Sequence, residues 1–141
     1  MITSTSNAQI KELAKLQKKS RLRDEKGIFL VEGPRMTEEI PAERIEKVYA
    51  SESFAKKNKE FLEKLQAPVE LLTDTVFAYV SDTKTPQGIL AIVKRLNYTM
   101  NDLMQMKNQK APHLVVLDNL QDPGNLGTIF RTAEAAGVTG I

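Results

Sequence analysis

Apolar positions change their spacing several times along the chain, and each change marks an element. Between Ser6 and Lys19 they fall at helical intervals. Ile10, Leu13, Ala14 and Leu16 make one stripe, and Lys11, Lys15, Lys18 and Lys19 recur at i, i+4, i+7 and i+8 on the other face. The stretch from Ser6 to Gln9 fits a capping box, in which each side chain satisfies a free amide of the other's turn. "KGIFLVEG" is a short apolar run closed by Gly33 and predicts a buried strand. Pro34 stands where a helix starts without losing a hydrogen bond, and Pro41 holds that helix to about two turns.

The alternation continues. "KVYAS" reads as a strand, and "SESFAKKNKEFLEKL" as one helix with Phe54, Phe61, Leu62 and Leu65 on its inner side. "PVELL" is a third strand, Thr73 caps a short helix running to Val80, and "GILAIV" is a fourth strand. Strand and helix in alternation over residues 1–95 predict an α/β sandwich. Residues 96–111 are polar and Met-containing, and are expected to be a linker with one or two helical turns. A second domain is expected to open at residue 112 and continue to 141. There "HLVVLD" is continuously apolar, as in a strand covered on both faces, and "QDPGNLG" makes a tight turn. Asn125 is placed to cap the helix that follows. Ile129, Phe130, Ala133 and Ala136 are expected on its buried side, Arg131 on its open surface, and Gly137 at its end.

Composition narrows the chemistry. A length of 141 residues allows one ordinary domain, or one domain and part of another. No apolar run approaches the length needed to span a bilayer and no signal-peptide pattern opens the chain, so a cytoplasmic protein without a membrane partner is expected. The absence of cysteine excludes disulfides, thiol catalysis and a Cys-ligated zinc. His113 is the one histidine, and it reads as a residue at a strand start; no metal is expected.

Charge is unevenly placed. The net value is +2, yet residues 1–30 carry seven basic side chains (Lys11, Lys15, Lys18, Lys19, Arg21, Arg23, Lys26) against Glu12, Asp24 and Glu25, a balance of +4. A basic arm on a nearly neutral body suits a polyanionic partner; a solvated helix face is the other reading of the same charges. The "GNLG" turn lacks the G-x-G-x-x-G spacing of a dinucleotide site and the Gly-Lys-Ser/Thr of a P-loop. Spacing alone allows Asn125 and Arg131 to converge on an anionic ligand at a helix N-terminus.

"LDNLQDPGNLGTIFRTAEAAG" resembles the first signature motif of the SpoU/TrmH family of RNA 2′-O-ribose methyltransferases, in the SPOUT superfamily. "NAQIKELAKLQKKSRLRDEKGIFLVEG" and "VSDTKTPQGILAIV" are similar to the substrate-binding domain that precedes catalysis in many members, which has a ribosomal-protein-L30e-like fold. The resemblance implies an L30e-like α/β/α sandwich over 1–95, a linker over 96–111, and the first strand and helix of a knotted SPOUT domain over 112–141. It implies methyl transfer from S-adenosylmethionine to a ribose 2′-hydroxyl of ribosomal or transfer RNA, with Asn125 and Arg131 as the catalytic pair. Asp122, Gly124 and Gly127 are expected to shape the turn.

The family's second and third motifs, which bind S-adenosylmethionine and form the knot, are expected downstream of Ile141. This chain is therefore expected to be a truncated form, inactive alone, with no cofactor-binding residue of its own. A homodimer is expected of the complete protein. Lys11, Lys15, Lys18, Lys19, Arg21, Arg23 and Arg35 are expected to track RNA phosphates. The competing expectation is a non-catalytic L30e-like RNA-binding module, which would have no use for the Asn125/Arg131 motif.

Overall fold

The computed structural model describes residues 1–104 and 111–141. Two compact units divide the chain, Met1–Arg95 and Leu96–Ile141.

In the first unit, α1 (Ala8–Lys18) buries Ile10, Leu13, Ala14 and Leu16, the stripe expected from the sequence. Its cap differs from expectation. Asn7, not Ser6, is the N-cap, with Oδ1 accepting from Gln9 N at 2.8 Å. Ser6 is engaged instead with the Ser4 hydroxyl at 2.7 Å. Lys19 is extended (φ −120°, ψ 98°), so it leaves the helix whose face it was expected to share, and a second helix, α2 (Ser20–Lys26), follows. This helix folds back along α1: Lys26 Nζ reaches Glu12 Oε1 at 2.7 Å. Gly27, at φ 63°, then turns the chain into β1 (Ile28–Glu32).

After β1 come α3 (Pro34–Glu38), a 3₁₀ turn (Ala42–Arg44) and β2 (Ile45–Ser51). The long helix expected next is broken in two, α4 (Glu52–Lys57) and α5 (Lys59–Lys64). The break falls at Asn58 (φ −127°, ψ 43°), whose amide Nδ2 donates to the Phe54 carbonyl at 3.0 Å. An Asn side chain that bonds the local backbone competes with the helical ladder. β3 (Val69–Leu72) leads to α6 (Asp74–Val80), where Thr73 Oγ1 accepts from Val76 N as the expected cap. β4 (Ile89–Lys94) completes the sheet.

The strand order is β1-β4-β2-β3. β4 runs antiparallel to both β1 and β2, while β3 is parallel to β2, and Ile2 adds a parallel bridge to Leu72 at that edge. Side chains alternate across the pleat. Leu90 and Ile92 of β4 join Ile10, Leu13, Phe77 and Val80 on one face, whereas Ile89, Ala91 and Val93 join Val48 and Leu65 on the other. Phe54, Phe61 and Leu62 of α4 and α5 pack onto that second cluster. Helices on both faces explain why the strands read as unbroken apolar runs, and the α/β sandwich expected from the alternation is what forms.

The second unit departs further. α7 (Met100–Met104) lies in the stretch expected to be a linker, of which residues 105–110 fall outside the described residues. The strand expected at "HLVVLD" does not form. Leu114 makes one isolated parallel bridge to Gly140, and Val116 is 88% exposed. A strand needs a ladder of partners, and among the described residues this segment has only the backbone near Thr139 and Gly140 beside it. α8 (Pro123–Ala135) forms, but of its expected buried side only Ala133 is buried. Phe130 is half-exposed and Ala136 exposed.

Candidate functional site

The basic residues expected to track RNA fall into three groups. Lys11, Lys15 and Lys18 stand exposed along α1, with Lys19 exposed at the break after it. On α2, Arg21 is exposed and pairs with Glu25 at 2.9 Å. Arg23 is half-buried and turned inward, where its Nη1 donates to the carbonyl oxygens of Leu16 and Gln17. Those carbonyls lie in the last turn of α1, which has no intrahelical donor for them. Arg35 is exposed on α3, beyond the opposite end of β1 from α2. Lys26 also lies in the arm, and the Lys26 ammonium bonded to Glu12 holds that carboxyl below the usual carboxylate range.

The other expected site is α8. Its N-cap is Asp122, correcting the assignment to Asn125: the Asp122 carboxylate accepts from Gly124 N at 3.2 Å and Asn125 N at 3.0 Å. The signal for this was present in the sequence as Asp followed by Pro, since Pro123 takes the first helical position. A carboxylate at this end is also favoured by the helix dipole. Gly124 and Gly127 are thus helical residues rather than parts of a turn.

Asn125 and Arg131 stand six positions apart, which is roughly 9 Å of helix rise and ~120° of rotation. The helix therefore sets them on different faces, and among the described residues no hydrogen bond joins them. Arg131 is held from its own helix: Nη2 donates to Thr128 Oγ1 at 3.2 Å, and Thr128 Oγ1 donates to the Gly124 carbonyl at 3.0 Å. A Cβ at Gly127 would lie 3.5 Å from Arg131 Nη1, an ordinary contact, so the guanidinium runs back along the helix past this position without requiring glycine there. Thr128 was not singled out from the sequence, although its i,i+3 spacing to Arg131 carries the signal.

Among the described residues no group of His, Asp and Glu converges as a metal site, and no helix is long and apolar enough to cross a membrane. His113 donates its backbone N–H to Thr139 Oγ1 at 3.0 Å.

The family model of the MRM3-like substrate-binding domain matches residues 7–91. The chain is 32% identical over 143 residues to the 23S rRNA (guanosine(2553)-2′-O)-methyltransferase RlmP of Bacillus subtilis, a match that covers 99% of this chain and 52% of that protein. It is 33% identical over 134 residues to the mitochondrial rRNA methyltransferase 3 of Homo sapiens, covering 87% of this chain and 30% of that one. Among solved structures, the AdoMet-bound rRNA methyltransferase from Sinorhizobium meliloti superposes with a TM-score of 0.67 at 27% identity, over 97% of this chain and 51% of that chain. The chain spans about half, or less, of the length of the relatives it matches.

Proposed function

The chain belongs to the SpoU/TrmH family of RNA methyltransferases, and on that premise we propose that it carries the RNA-gripping part of an enzyme that methylates a ribose 2′-hydroxyl. The observation that carries the reading is the match of residues 7–91 to a substrate-binding domain, on a fold whose first helix presents Lys11, Lys15 and Lys18 outward. Exposed lysines on a helix neutralise phosphates without reading sequence. Structured ribosomal or transfer RNA is the substrate class, bound by a domain of L30e-like type, in the cytoplasm and without a membrane.

Chemistry is assigned to α8. The ribose hydroxyl is a weak nucleophile until its developing negative charge is stabilised. A guanidinium stays protonated in proteins and has no lone pair to act as a base. Arg131 therefore grips a neighbouring phosphate and stabilises the emerging alkoxide, while Asn125 holds the hydroxyl. Thr128, through its bond to the guanidinium, is a positioning residue.

S-Adenosylmethionine supplies the methyl group in this reading. Leu126 and Phe130 beside the two site residues are open to solvent, and the cavities lined by Gln9 and Tyr49 and by Phe54 and Asp74 are built from residues of 1–95. With these side chains open, α8 by itself does not enclose a nucleoside-sized group. A homodimer is the proposed assembly of the whole enzyme.

The test is methyl transfer from labelled S-adenosylmethionine to total RNA by the whole reading frame containing this segment, compared with its Arg131→Ala form. Loss of one electrostatic contact to the transition state predicts a fall of ~10²–10³ in kcat. Transfer to no RNA would remove the enzyme reading and leave an RNA-binding module in its place.

A further inference from the structure

Where β2 and β3 end, the first unit carries a cavity of ≈ 390 Å³. Phe54, Phe77 and Pro86 supply its apolar walls, and Ser51, Asp74 and Gln87 put polar atoms on it. Its size falls within the range of small-ligand pockets. None of the basic residues assigned above lines it.

Two contacts hold the walls apart. Ser53 at the start of α4 donates its backbone N–H to Asp74 Oδ1 at 3.2 Å and its hydroxyl to Asp74 Oδ2 at 2.5 Å, which pins α4 to α6. Gly88 brings the loop before β4 against α4 at φ 81°, and a Cβ there would lie 2.7 Å from Phe54 Cβ and 3.0 Å from Ser51 Oγ. Phe77 is 1% exposed and forms a fixed floor, while Phe54 is oriented by an edge-on contact with Phe61, ring centroids 5.9 Å apart.

Charge selects the occupant. The Asp74 carboxylate repels a phosphate, yet after both bonds from Ser53 its oxygens retain lone pairs for further N–H donors. The cavity therefore suits a flat, uncharged group with an apolar face and N–H groups on its edge. A phosphate finds its partners outside. Lys57 stands at the rim, and the Gln87 amide lies against Gly33, its Oε1 2.9 Å from where a Cβ would be, two residues before exposed Arg35.

We infer that this cavity receives one unpaired base of the bound RNA, with the adjoining phosphates running past Lys57 and Arg35. This rests on the RNA-binding reading above and adds to it a preference for unpaired over duplex RNA, a distinction the lysines of α1 do not make.

The experiment measures the affinity of the full 141-residue chain for two fluorescein-labelled RNAs, a stem with an eight-nucleotide mixed-sequence loop and a blunt duplex of equal phosphate count. Ala78 is an exposed residue of α6 on the cavity wall, so Ala78→Phe fills the space from a tolerant position. Gln87→Ala removes an exposed amide without filling it. Ala78→Phe is expected to weaken loop binding about tenfold, the order of one lost base stack, and to leave duplex binding unchanged; Gln87→Ala acts in the same direction and more weakly. Lys15→Ala weakens both RNAs alike. Unchanged loop binding by Ala78→Phe, with the thermal melt of the protein also unchanged, overturns the base-pocket inference alone. Failure of the unaltered chain to bind either RNA at low salt overturns the RNA-binding reading, and this inference with it.

Discussion

Arg23 donates from Nη1 to the carbonyl oxygen of Gln17 at 2.9 Å, and so closes the end of the helix that carries the exposed lysines. The same nitrogen donates to the Leu16 carbonyl, which makes one guanidinium the clamp between α1 and α2. Arg23→Ala is expected to destabilise the fold by about 1.5–3 kcal/mol, the range for a hydrogen bond to a charged group. Denaturant unfolding measures it. Lys15→Ala on the exposed face of α1 should stay within ~0.5 kcal/mol of the unaltered chain.

Glycine at position 88 is required both by φ 81° and by the nearness of Phe54 Cβ. Gly88→Ala therefore combines a disfavoured backbone conformation with a steric overlap, and is expected to cost about 2 kcal/mol or more. Gly27→Ala provides the comparison, since its φ of 63° is also positive but nothing lies within 4 Å of the added carbon. The smaller fall in melting temperature should belong to Gly27→Ala.

The hydrogen bonds from Ser53 hold the Asp74 carboxyl below its ordinary value of 3.8. A carboxyl lowered in the folded state contributes stability that is present above its unfolded pKa and is lost as pH falls through the folded value. Ser53→Ala is expected to move the Asp74 titration back up towards the ordinary range and to shrink the acid-side loss of stability from this group. Carbon-13 NMR titration of the carboxyl reads the shift directly.

Burial pushes the Tyr49 phenol up from 10.0, with the Glu70 carboxylate adding to it. An acid raised on folding contributes stability that is fully present below its unfolded pKa and is lost as pH rises through the folded value. Alkaline unfolding above about pH 10 should be less steep in Tyr49→Phe than in the unaltered chain. Circular dichroism across that range follows it.

What was legible in the sequence was what neighbours in the chain determine. The α1 stripe, the four apolar runs that became β1 to β4, and the Thr73 cap all rest on periodicity or local capping chemistry. The misses have the opposite character. Ser6 and Asn7 are both good caps, and the choice between them turned on a Ser4–Ser6 contact that propensity does not register. The inward turn of Arg23 depends on α2 folding back over α1, which charge counting treats as another cation in the arm. "HLVVLD" has the composition of a strand, but pairing is non-local, and the bridge to Gly140 is its one β partner among the described residues. For α8 the motif pointed to Asn125 and Arg131, and the i,i+3 spacing marked Thr128 as well, but that its hydroxyl holds the guanidinium shows only in the folded helix.

Asp122 carries two amides of the first turn of α8. Asp122→Ala is expected to cost about 1 kcal/mol of helix stability, as for other caps, and to loosen the turn on which Asn125 stands. Far-ultraviolet circular dichroism should register a loss of helix, with hydrogen exchange locating it at residues 124–128.

The central claim is that the first unit grips RNA through exposed lysines of α1, and the salt dependence of RNA affinity tests it most directly. Binding of the 141-residue chain to a structured RNA should weaken linearly in log–log form as salt rises. Each of Lys11→Ala, Lys15→Ala and Lys18→Ala should reduce the slope by about one, whereas Lys26→Ala, already paired with Glu12, should reduce it less. An affinity indifferent to salt, or slopes unmoved by the three α1 substitutions, would contradict the account.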